Sequence, residues 1–165
     1  MKNITAKKIM TSPAVSVSTR TSLRQLIKIL DRTRFGGLPV VNKDKKVVGM
    51  ISEKDVLKYT RCIIGGPVRN PRQLLDKENE SARVSGQRGL DVIEFVASAT
   101  VAALMIPDVV SASETTSVLD VIETMNRRKI NRVPVVDAAG KLTGIVTKTD
   151  ILKMVEKWMK ANRTS

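Results

Sequence analysis

The sequence predicts an α+β fold of two tandem units, each with the order strand, helix, strand, strand, helix, related by pseudo-two-fold symmetry. Three observations predict it. A shift of 95 positions aligns residues 10–58 with residues 105–153 without a gap, and 16 of these 49 pairs are identical. Apolar residues recur at helical spacing in each copy, and a pair of short apolar runs follows them. Units of about 50 residues bury too little apolar surface to be stable alone, so we expect the two copies to fold together.

The first helix of each copy follows a serine that can cap its N-terminus. Behind Ser22 and Ser117, apolar side chains recur at positions i, i+3, i+4 and i+7, which is the spacing of an amphipathic helix. The extended residues 14–17 precede this helix in the first copy and predict a short strand. Each copy is therefore expected to open with a strand and an amphipathic helix.

Two short apolar runs separated by a polar turn follow each of these helices, and they predict a hairpin of two buried strands. Each hairpin runs directly into a second helix, which begins at a hydroxyl-bearing residue, Ser52 or Thr147. The predicted strands cover residues 38–41 and 47–51 in the first copy and residues 133–136 and 142–146 in the second.

The segment between the two copies is about twice as long as a simple connection needs. Gly65-Gly66-Pro67 and Asn70-Pro71 break regular structure near its start, and a polar run follows them. We expect an inserted linker that is partly mobile and becomes helical from about Leu90. The predicted organisation is a first unit over residues 1–60, this linker over residues 61–100, and a second unit with a C-terminal helix over residues 101–165.

Composition excludes several classes of enzyme. The chain has no histidine and a single cysteine, Cys62, which removes the common serine and cysteine triads, the HExxH metalloprotease motif and any Cys/His zinc site. No alternative nucleophile or metal cluster is evident, so we expect a protein that is not an enzyme. The longest apolar stretch, residues 92–106, carries Glu94 and is too short to span a bilayer. These features predict a cytoplasmic protein that makes no membrane contact.

A hydroxyl at the start of a helix is followed three residues later by an aspartate in both copies: Ser52 with Asp55, and Thr147 with Asp150. The free N–H groups of a helix N-terminus, together with the hydroxyl, favour a phosphate. The carboxylate one turn further can accept hydrogen bonds from both hydroxyls of a ribose, and Val and Pro side chains of neighbouring strands can enclose a flat base. The arrangement therefore predicts a nucleotide pocket.

The same spacing is also that of a capping box, which satisfies the N–H groups of the first helical turn and binds nothing else. The first helices offer an internal comparison, because Ser22 is followed by Gln25, and Ser117 by Asp120, at the same spacing. The acidic position varies there, whereas the second helices keep aspartate in both copies. Both interpretations remain open at the level of the sequence.

Taken in order and at one fixed offset, these motifs resemble a pair of cystathionine β-synthase (CBS) domains, also called a Bateman module. The resemblance covers about 100 of the 165 residues. The residues that carry it are Ile9-Met10, Leu38-Pro39-Val40-Val41 and Gly49-Met50-Ile51-Ser52-Glu53-Lys54-Asp55 in the first copy, and Leu104-Met105, Val133-Pro134-Val135-Val136-Asp137 and Gly144-Ile145-Val146-Thr147-Lys148-Thr149-Asp150 in the second.

The resemblance implies a non-enzymatic regulatory or sensor module that binds an adenosine compound in clefts between the two CBS units. The ligand would be AMP, ADP, ATP or S-adenosylmethionine, and no cofactor would be required. Family members commonly dimerise into a flat disc, so the resemblance also implies a homodimer. A regulatory role further implies a partner protein that is regulated.

The resemblance also assigns roles to individual residues. Asp55 and Asp150 correspond to the ligands of the ribose, and Ser52 and Thr147 to the hydroxyls near the phosphate. The base would meet backbone before the first helix of each copy and the proline-containing strands. These residues are Val15, Ser16, Val17, Pro39, Val110, Ser111, Ala112 and Pro134.

The residues just before the proline-containing strand often contact phosphate in the family, and they differ between the copies: Gly36-Gly37 and Asn131-Arg132. Arg132 is a candidate phosphate ligand, because a guanidinium stays charged and binds phosphate bidentately; the alternative is a solvated arginine at a helix end. Lys54 and Lys148, at the starts of the second helices, could also reach a phosphate, and an exposed lysine with no ligand is the alternative for each. We therefore expect unequal clefts.

Charge offers a competing function, the binding of nucleic acid. The formal net charge is +13, and residues 1–58 hold 13 basic and 4 acidic side chains, with Lys43, Lys45 and Lys46 in the predicted hairpin turn. Such a surface attracts a phosphate backbone, with an affinity that falls steeply as salt rises. Only four aromatic residues are available to stack on bases, and a solvated basic surface with no ligand is the further alternative.

Overall fold

The computed structural model describes residues 4–64 and 98–161. It contains two three-stranded sheets with helices packed on them, which confirms the predicted α+β fold with its repeated order of elements. Residues 65–97 of the linker predicted over residues 61–100, with the helix expected from Leu90, lie outside the described residues. Among the helices that the structure describes, none combines the length and the apolar character needed to cross a membrane.

Among the described residues, each copy together with the short segment before it contains the same six elements in the same order. In the first copy these are α1 (Ala6–Ile9), β1 (Val17–Ser18), α2 (Leu23–Thr33), β2 (Gly37–Val41), β3 (Val47–Ser52) and α3 (Glu53–Ile64). In the second copy they are α4 (Val101–Leu104), β4 (Ala112–Ser113), α5 (Val118–Arg128), β5 (Arg132–Val136), β6 (Leu142–Thr147) and α6 (Lys148–Ala161).

The capping serines begin α2 and α5 as the sequence predicts. The Ser22 hydroxyl accepts a hydrogen bond from the backbone N–H of Gln25, and the Gln25 side chain accepts one from the Ser22 N–H, which completes a capping box. The Ser117 hydroxyl accepts from the N–H of Asp120 at 3.1 Å. At the i+4 position, Ile27 of α2 is 47% exposed and Ile122 of α5 is half-buried. The other three apolar positions of each helix are buried, which confirms the helical spacing. These buried residues are Leu23, Leu26 and Leu30 in α2, and Val118, Val121 and Met125 in α5.

The two sheets have the strand orders β1-β2-β3 and β4-β5-β6. The first two strands of each sheet are parallel, with Val17 opposite Val40 and Ala112 opposite Val135. Strands β5 and β6 are antiparallel. The edge strand β1 is shorter than the extended stretch predicted at residues 14–17, because only Val17 and Ser18 pair with β2. Every residue of the central strand β2 is buried, so this strand forms the middle of a core.

The chain forms two compact units that are not continuous in sequence. Among the described residues, the Asp55 unit contains residues 16–42, 48–64 and 98–108, and the Asp150 unit contains residues 4–15, 43–47 and 109–161. The short segment before each copy therefore belongs to the unit that holds the other copy's sheet. Helix α1 lies in the Asp150 unit, and helix α4 lies in the Asp55 unit.

Backbone hydrogen bonds hold these two segments in place. In the Asp150 unit, Thr11 and Ile145 exchange N–H···O bonds of 2.9 and 3.1 Å. In the Asp55 unit, Met50 and Ile106 exchange bonds of 2.9 and 2.8 Å. Apolar burial adds to them, since Ala6 of α1 and Val101 of α4 are 0% and 1% exposed. Each segment thus completes the core of its unit.

Candidate functional site

In the Asp55 unit, the hydroxyl–aspartate pair lies where β3 passes into α3. The backbone N–H and the hydroxyl of Ser52 both donate to Oδ2 of Asp55, at 2.8 and 2.5 Å. Both side chains are half-buried. Among the described residues, Oδ1 of the same carboxylate has no hydrogen-bond partner. One oxygen of Asp55 therefore accepts both bonds from Ser52, and the other accepts none from the described residues.

The Asp150 unit repeats this geometry at the junction of β6 and α6. The N–H and the hydroxyl of Thr147 donate to Oδ2 of Asp150 at 2.8 and 2.6 Å. The Asp150 N–H points back to the Thr147 hydroxyl at 3.4 Å. The capping interpretation is thus correct in part. In both units the carboxylate accepts from the N–H of the residue before the helix, but among the described residues the return bond from the aspartate N–H to the hydroxyl is present at Thr147 and not at Ser52. Capping accounts for only one oxygen of each carboxylate, so it does not exhaust the hydrogen-bonding capacity of the aspartates.

Thr11 is a site residue that sequence reasoning missed. Its hydroxyl donates to Oδ1 of Asp150 in a long bond of 3.4 Å, from a segment 139 positions away in the chain. The equivalent residue of the other copy, 95 positions on, is Ile106, which has no hydroxyl. The two carboxylates therefore differ at the oxygen that the caps leave available. No local pattern could have identified Thr11, because its partner is distant in sequence.

The start of the proline-containing strand lies beside each junction. The N–H of Lys148, the first residue of α6, donates to the carbonyl of Asn131 at 3.1 Å. Arg132 follows directly and stands opposite Thr147 in the β5–β6 ladder. Arg132 is half-buried, whereas Lys148 is exposed. The structure thus brings the predicted cations Arg132 and Lys148 to the same strand–helix junction as Thr147 and Asp150.

The equivalent contact in the Asp55 unit joins the N–H of Glu53 to the carbonyl of Gly36 at 3.3 Å. Gly37, the residue equivalent to Arg132, begins β2 there. The two junctions share their backbone geometry and differ in the side chains around it.

The residues predicted to meet a base are distributed between the two units. Ser16, Val17 and Pro39 lie in the Asp55 unit with Ser52 and Asp55; Val15 lies in the Asp150 unit, as do Val110, Ser111, Ala112 and Pro134. Some of these side chains are committed to the cores. The side chains of Val17, Pro39, Ala112 and Pro134 are buried, those of Ser16 and Val110 are half-buried, and those of Val15 and Ser111 are exposed.

The predicted basic turn gains a member from the second copy. Within the Asp150 unit, the Val47 N–H donates to the Gly140 carbonyl at 3.3 Å, and the Leu142 N–H donates to the Lys45 carbonyl at 3.0 Å. This pairing places Lys46 and Lys141 at directly opposed positions. The resulting set of exposed lysines, here called the turn lysines, comprises Lys43, Lys45, Lys46 and Lys141.

The sequence profile of the CBS domain matches residues 6–61 and again residues 101–157. The chain belongs to the CBS domain family. Among its relatives is the uncharacterized protein MJ1426 of Methanocaldococcus jannaschii, which is 29% identical over 150 residues, or 89% of this chain and 88% of that protein. The chloroplastic CBS domain-containing protein CBSX1 of Arabidopsis thaliana is 27% identical over 141 residues. That alignment covers 83% of this chain but only 57% of the length of CBSX1.

Solved CBS structures share the fold. The crystal structure of CBSX2 in complex with AMP superposes with a TM-score of 0.70 at 23% identity, and it covers 94% of this chain and 98% of that one. The CBS domain pair of protein MJ0100, in complex with 5′-methylthioadenosine and S-adenosyl-L-methionine, gives a TM-score of 0.64 at 23% identity, over 93% of this chain and 96% of that one. The tandem CBS fold predicted from the sequence is confirmed.

Proposed function

We propose that this chain is a non-enzymatic regulatory module that binds an adenosine compound at the two hydroxyl–aspartate junctions. One observation carries the proposal: Ser52–Asp55 and Thr147–Asp150 repeat the same arrangement, with 2.8 Å backbone bonds and 2.5 and 2.6 Å hydroxyl bonds to a single carboxylate oxygen. The cap holds each carboxylate in a fixed orientation. A ligand therefore meets a carboxylate that is already in place, which lowers the cost of ordering it on binding.

The chemistry fits a nucleoside. A ribose presents two adjacent hydroxyls, both of which can donate to an ionised carboxylate, and hydrogen bonds to a charged acceptor are among the stronger ones in proteins. Each carboxylate lies within the first turn of a helix, where the N–H groups and the helix dipole favour a phosphate. The remaining predicted residues, from Val15 to Val17, from Val110 to Ala112 and the two prolines Pro39 and Pro134, would line the base.

The solved relatives support the adenosine part of the proposal. CBSX2 was crystallised with AMP, and the CBS pair of MJ0100 with 5′-methylthioadenosine and S-adenosyl-L-methionine. All three ligands contain adenosine and differ at the 5′ position. We therefore propose the ligand class as AMP, ADP, ATP or S-adenosylmethionine, with Asp55 and Asp150 on the ribose and Arg132 and Lys148 near any phosphate.

We propose a homodimer as the working assembly and a regulated partner protein in the cytoplasm as its target. Equivalent helices α3 and α6 carry equivalent leucines, Leu57 and Leu152, each 68% exposed. Two exposed apolar side chains at matched positions favour contact with a second copy. Sedimentation of the natural chain should give a dimer mass, and Leu57→Glu with Leu152→Glu should give a monomer; a monomeric natural chain would contradict the assembly.

Isothermal titration calorimetry tests the ligand proposal. AMP, ADP, ATP and S-adenosylmethionine are titrated into the natural chain, Asp55→Ala, Asp150→Ala and the control Gln25→Ala. Gln25 occupies the same third position of a capping box, on α2, so its loss removes a cap without removing a proposed ribose ligand. We expect at least one compound to bind and its heat to be lost from an aspartate variant but not from Gln25→Ala. Heat from none of the four would contradict the proposal.

The turn lysines favour a second candidate, a nucleic-acid backbone. The pairing of residues 45–47 with residues 140–142 adds Lys141 to the three lysines of the first turn. The affinity for nucleic acid through these lysines would fall steeply as the salt concentration rises, because about one counterion is released for each phosphate that they neutralise. A labelled duplex titrated at two salt concentrations, against the natural chain and the Lys45→Ala, Lys46→Ala, Lys141→Ala variant, separates the candidates. We expect the three lysine substitutions to leave the affinity for an adenosine compound unchanged.

A further inference from the structure

The two junctions carry different charges around the same scaffold. Position 37 is glycine where position 132 is arginine, and the first residue of the second helix is Glu53 in one unit and Lys148 in the other. Next to Glu53 stands Lys54, whose charge is opposite. The Asp150 junction therefore gains two cations, whereas the flanking charges of the Asp55 junction cancel.

Backbone contacts place these side chains at equivalent points. The N–H groups of Glu53 and Lys148 donate to Gly36 and Asn131 at 3.3 and 3.1 Å, which fixes the start of each helix against the start of the neighbouring strand. Arg132 pairs with Thr147 in the β5–β6 ladder, and Thr147 is the residue directly before Lys148. Since Arg132 is half-buried, its charge is screened by water less than that of an exposed side chain.

We propose that the two junctions select different adenosine compounds. The Asp150 junction takes a nucleotide that carries phosphate, and the Asp55 junction takes an adenosine compound whose 5′ group is a neutral thioether or a cationic sulfonium. The inference rests on the proposed function and assigns a ligand class to each of its sites. Arg132 and Lys148 neutralise a phosphate, whereas the Asp55 junction, where Glu53 and Lys54 cancel, has no net positive charge to neutralise one. The Asp55 carboxylate does not repel a 5′ group that is neutral or cationic.

The test uses AMP and 5′-methylthioadenosine as probes, because they share adenosine and differ in charge at the 5′ position. Each is titrated calorimetrically into the natural chain, Asp55→Ala and Asp150→Ala. AMP binding should disappear in Asp150→Ala and persist in Asp55→Ala. Binding of 5′-methylthioadenosine should disappear in Asp55→Ala and persist in Asp150→Ala. AMP that is lost from Asp55→Ala and kept by Asp150→Ala would overturn the assignment.

Charge variants test the cause. Arg132→Gly gives the Asp150 junction the residue of the other unit, and we expect it to weaken AMP by about tenfold or more without changing the affinity for the thioether. In the Asp150→Ala background, Glu53→Lys should give the Asp55 junction measurable AMP binding. The exposed Lys28→Ala on α2 is a control for a general change in net charge. Unchanged AMP affinity in Arg132→Gly would overturn the role of the arginine.

The two proposals fail in different ways. If none of AMP, ADP, ATP, S-adenosylmethionine and 5′-methylthioadenosine binds the natural chain, the proposed function falls and this inference falls with it. If AMP and the thioether each bind both junctions with equal affinity, the adenosine function stands and only the division of ligands is overturned. If each aspartate variant loses one probe in the expected direction, both proposals are supported.

Discussion

The sulfur of Met10 packs so closely on Gly144 that a β-carbon on the glycine would overlap it. The carbonyl oxygen of Thr11 is 3.1 Å from the position of that β-carbon, so both side chain and backbone of the N-terminal segment close on the glycine. The Asp55 unit repeats the relationship, with the Met105 sulfur 2.5 Å from the corresponding position on Gly49. In each unit, the glycine of the third strand leaves room for the short segment before the other copy to pack closely against the sheet. We call these two segments the exchanged segments.

Gly144→Ala should lower the free energy of unfolding by about 1–3 kcal/mol, as expected for an added methyl group in a space already filled. The methionine side chain can move, but the Thr11 carbonyl is backbone and cannot move without disturbing its pairing with Ile145. Urea unfolding of the natural chain, Gly144→Ala, Met10→Ala and the double variant measures the effect. We expect the double variant to be more stable than the sum of the single losses predicts. Strict additivity would contradict the contact.

Most of the fold was predictable because its signals are local or repeated. The Ser22 cap, the apolar stripe of α2 and the two strands that follow were all evident within short windows, and the repeat confirmed each of them. The exchange of segments was not predictable. A helix of four residues, such as Ala6–Ile9, has too little periodicity to show which sheet it packs on, and its partner residues lie more than a hundred positions away.

A matched pair of caps separates stability from binding in the Asp150 unit. Thr147→Ala and Ser117→Ala each remove a hydroxyl that accepts from an N–H of the first helical turn, in α6 and α5, so each should lower the free energy of unfolding by about 1 kcal/mol. Only Thr147→Ala should also weaken the adenosine ligand of this unit. Urea unfolding and calorimetry on the same preparations measure both quantities. Equal ligand affinity in the two variants would mean that the Thr147 hydroxyl stabilises the helix but does not contribute to ligand binding.

The ion pair between Lys7 and Glu114 makes part of the stability dependent on acid pH. The Lys7 ammonium lies 2.8 Å from Oε2 of Glu114, and this hydrogen bond is the main cause that lowers the pKa of the carboxyl. A lowered pKa in the folded state gives stabilisation that is complete above the ordinary glutamate value, about 4.3, and lost as pH falls through the lowered pKa.

Thermal melts between neutral pH and about pH 3 test this ion pair. Glu114→Gln should show a smaller decrease of the melting temperature over the acid range than the natural chain does. Glu123→Gln, which changes an exposed glutamate of α5, is the control. Identical acid profiles for Glu114→Gln and the natural chain would mean that the ion pair contributes nothing measurable.

Tyr59 carries a polar group into the core of the Asp55 unit. Its side chain is 2% exposed, and its hydroxyl has no hydrogen-bond partner among the described residues. Burial raises the pKa of this phenol above its ordinary value. Tyr59→Phe removes the unsatisfied hydroxyl and keeps the ring, so the free energy of unfolding should rise by about 1 kcal/mol. A decrease of similar size in urea unfolding would show that the hydroxyl is satisfied in solution.

The site was predictable in part, for a related physical reason. Ser52 and Asp55 are three residues apart, so their contact follows from helical geometry and was evident in the sequence as two competing interpretations. The structure shows that the cap uses one oxygen of the carboxylate, which the spacing alone does not show. Thr11 was missed, because its approach to Asp150 depends on the exchange of segments.

Each aspartate is proposed to bind a ribose through the carboxylate oxygen that its cap does not use; on Asp150 this oxygen also accepts the long bond from Thr11. Calorimetry with AMP and with 2′,3′-dideoxyadenosine 5′-monophosphate, which keeps the base and the phosphate but lacks both ribose hydroxyls, measures this directly. We expect the dideoxy compound to bind at least about tenfold more weakly than AMP, since it loses hydrogen bonds to a charged acceptor. We also expect Asp150→Ala to abolish the difference between the two compounds. Equal affinity of the natural chain for both compounds would contradict ribose binding by the aspartates.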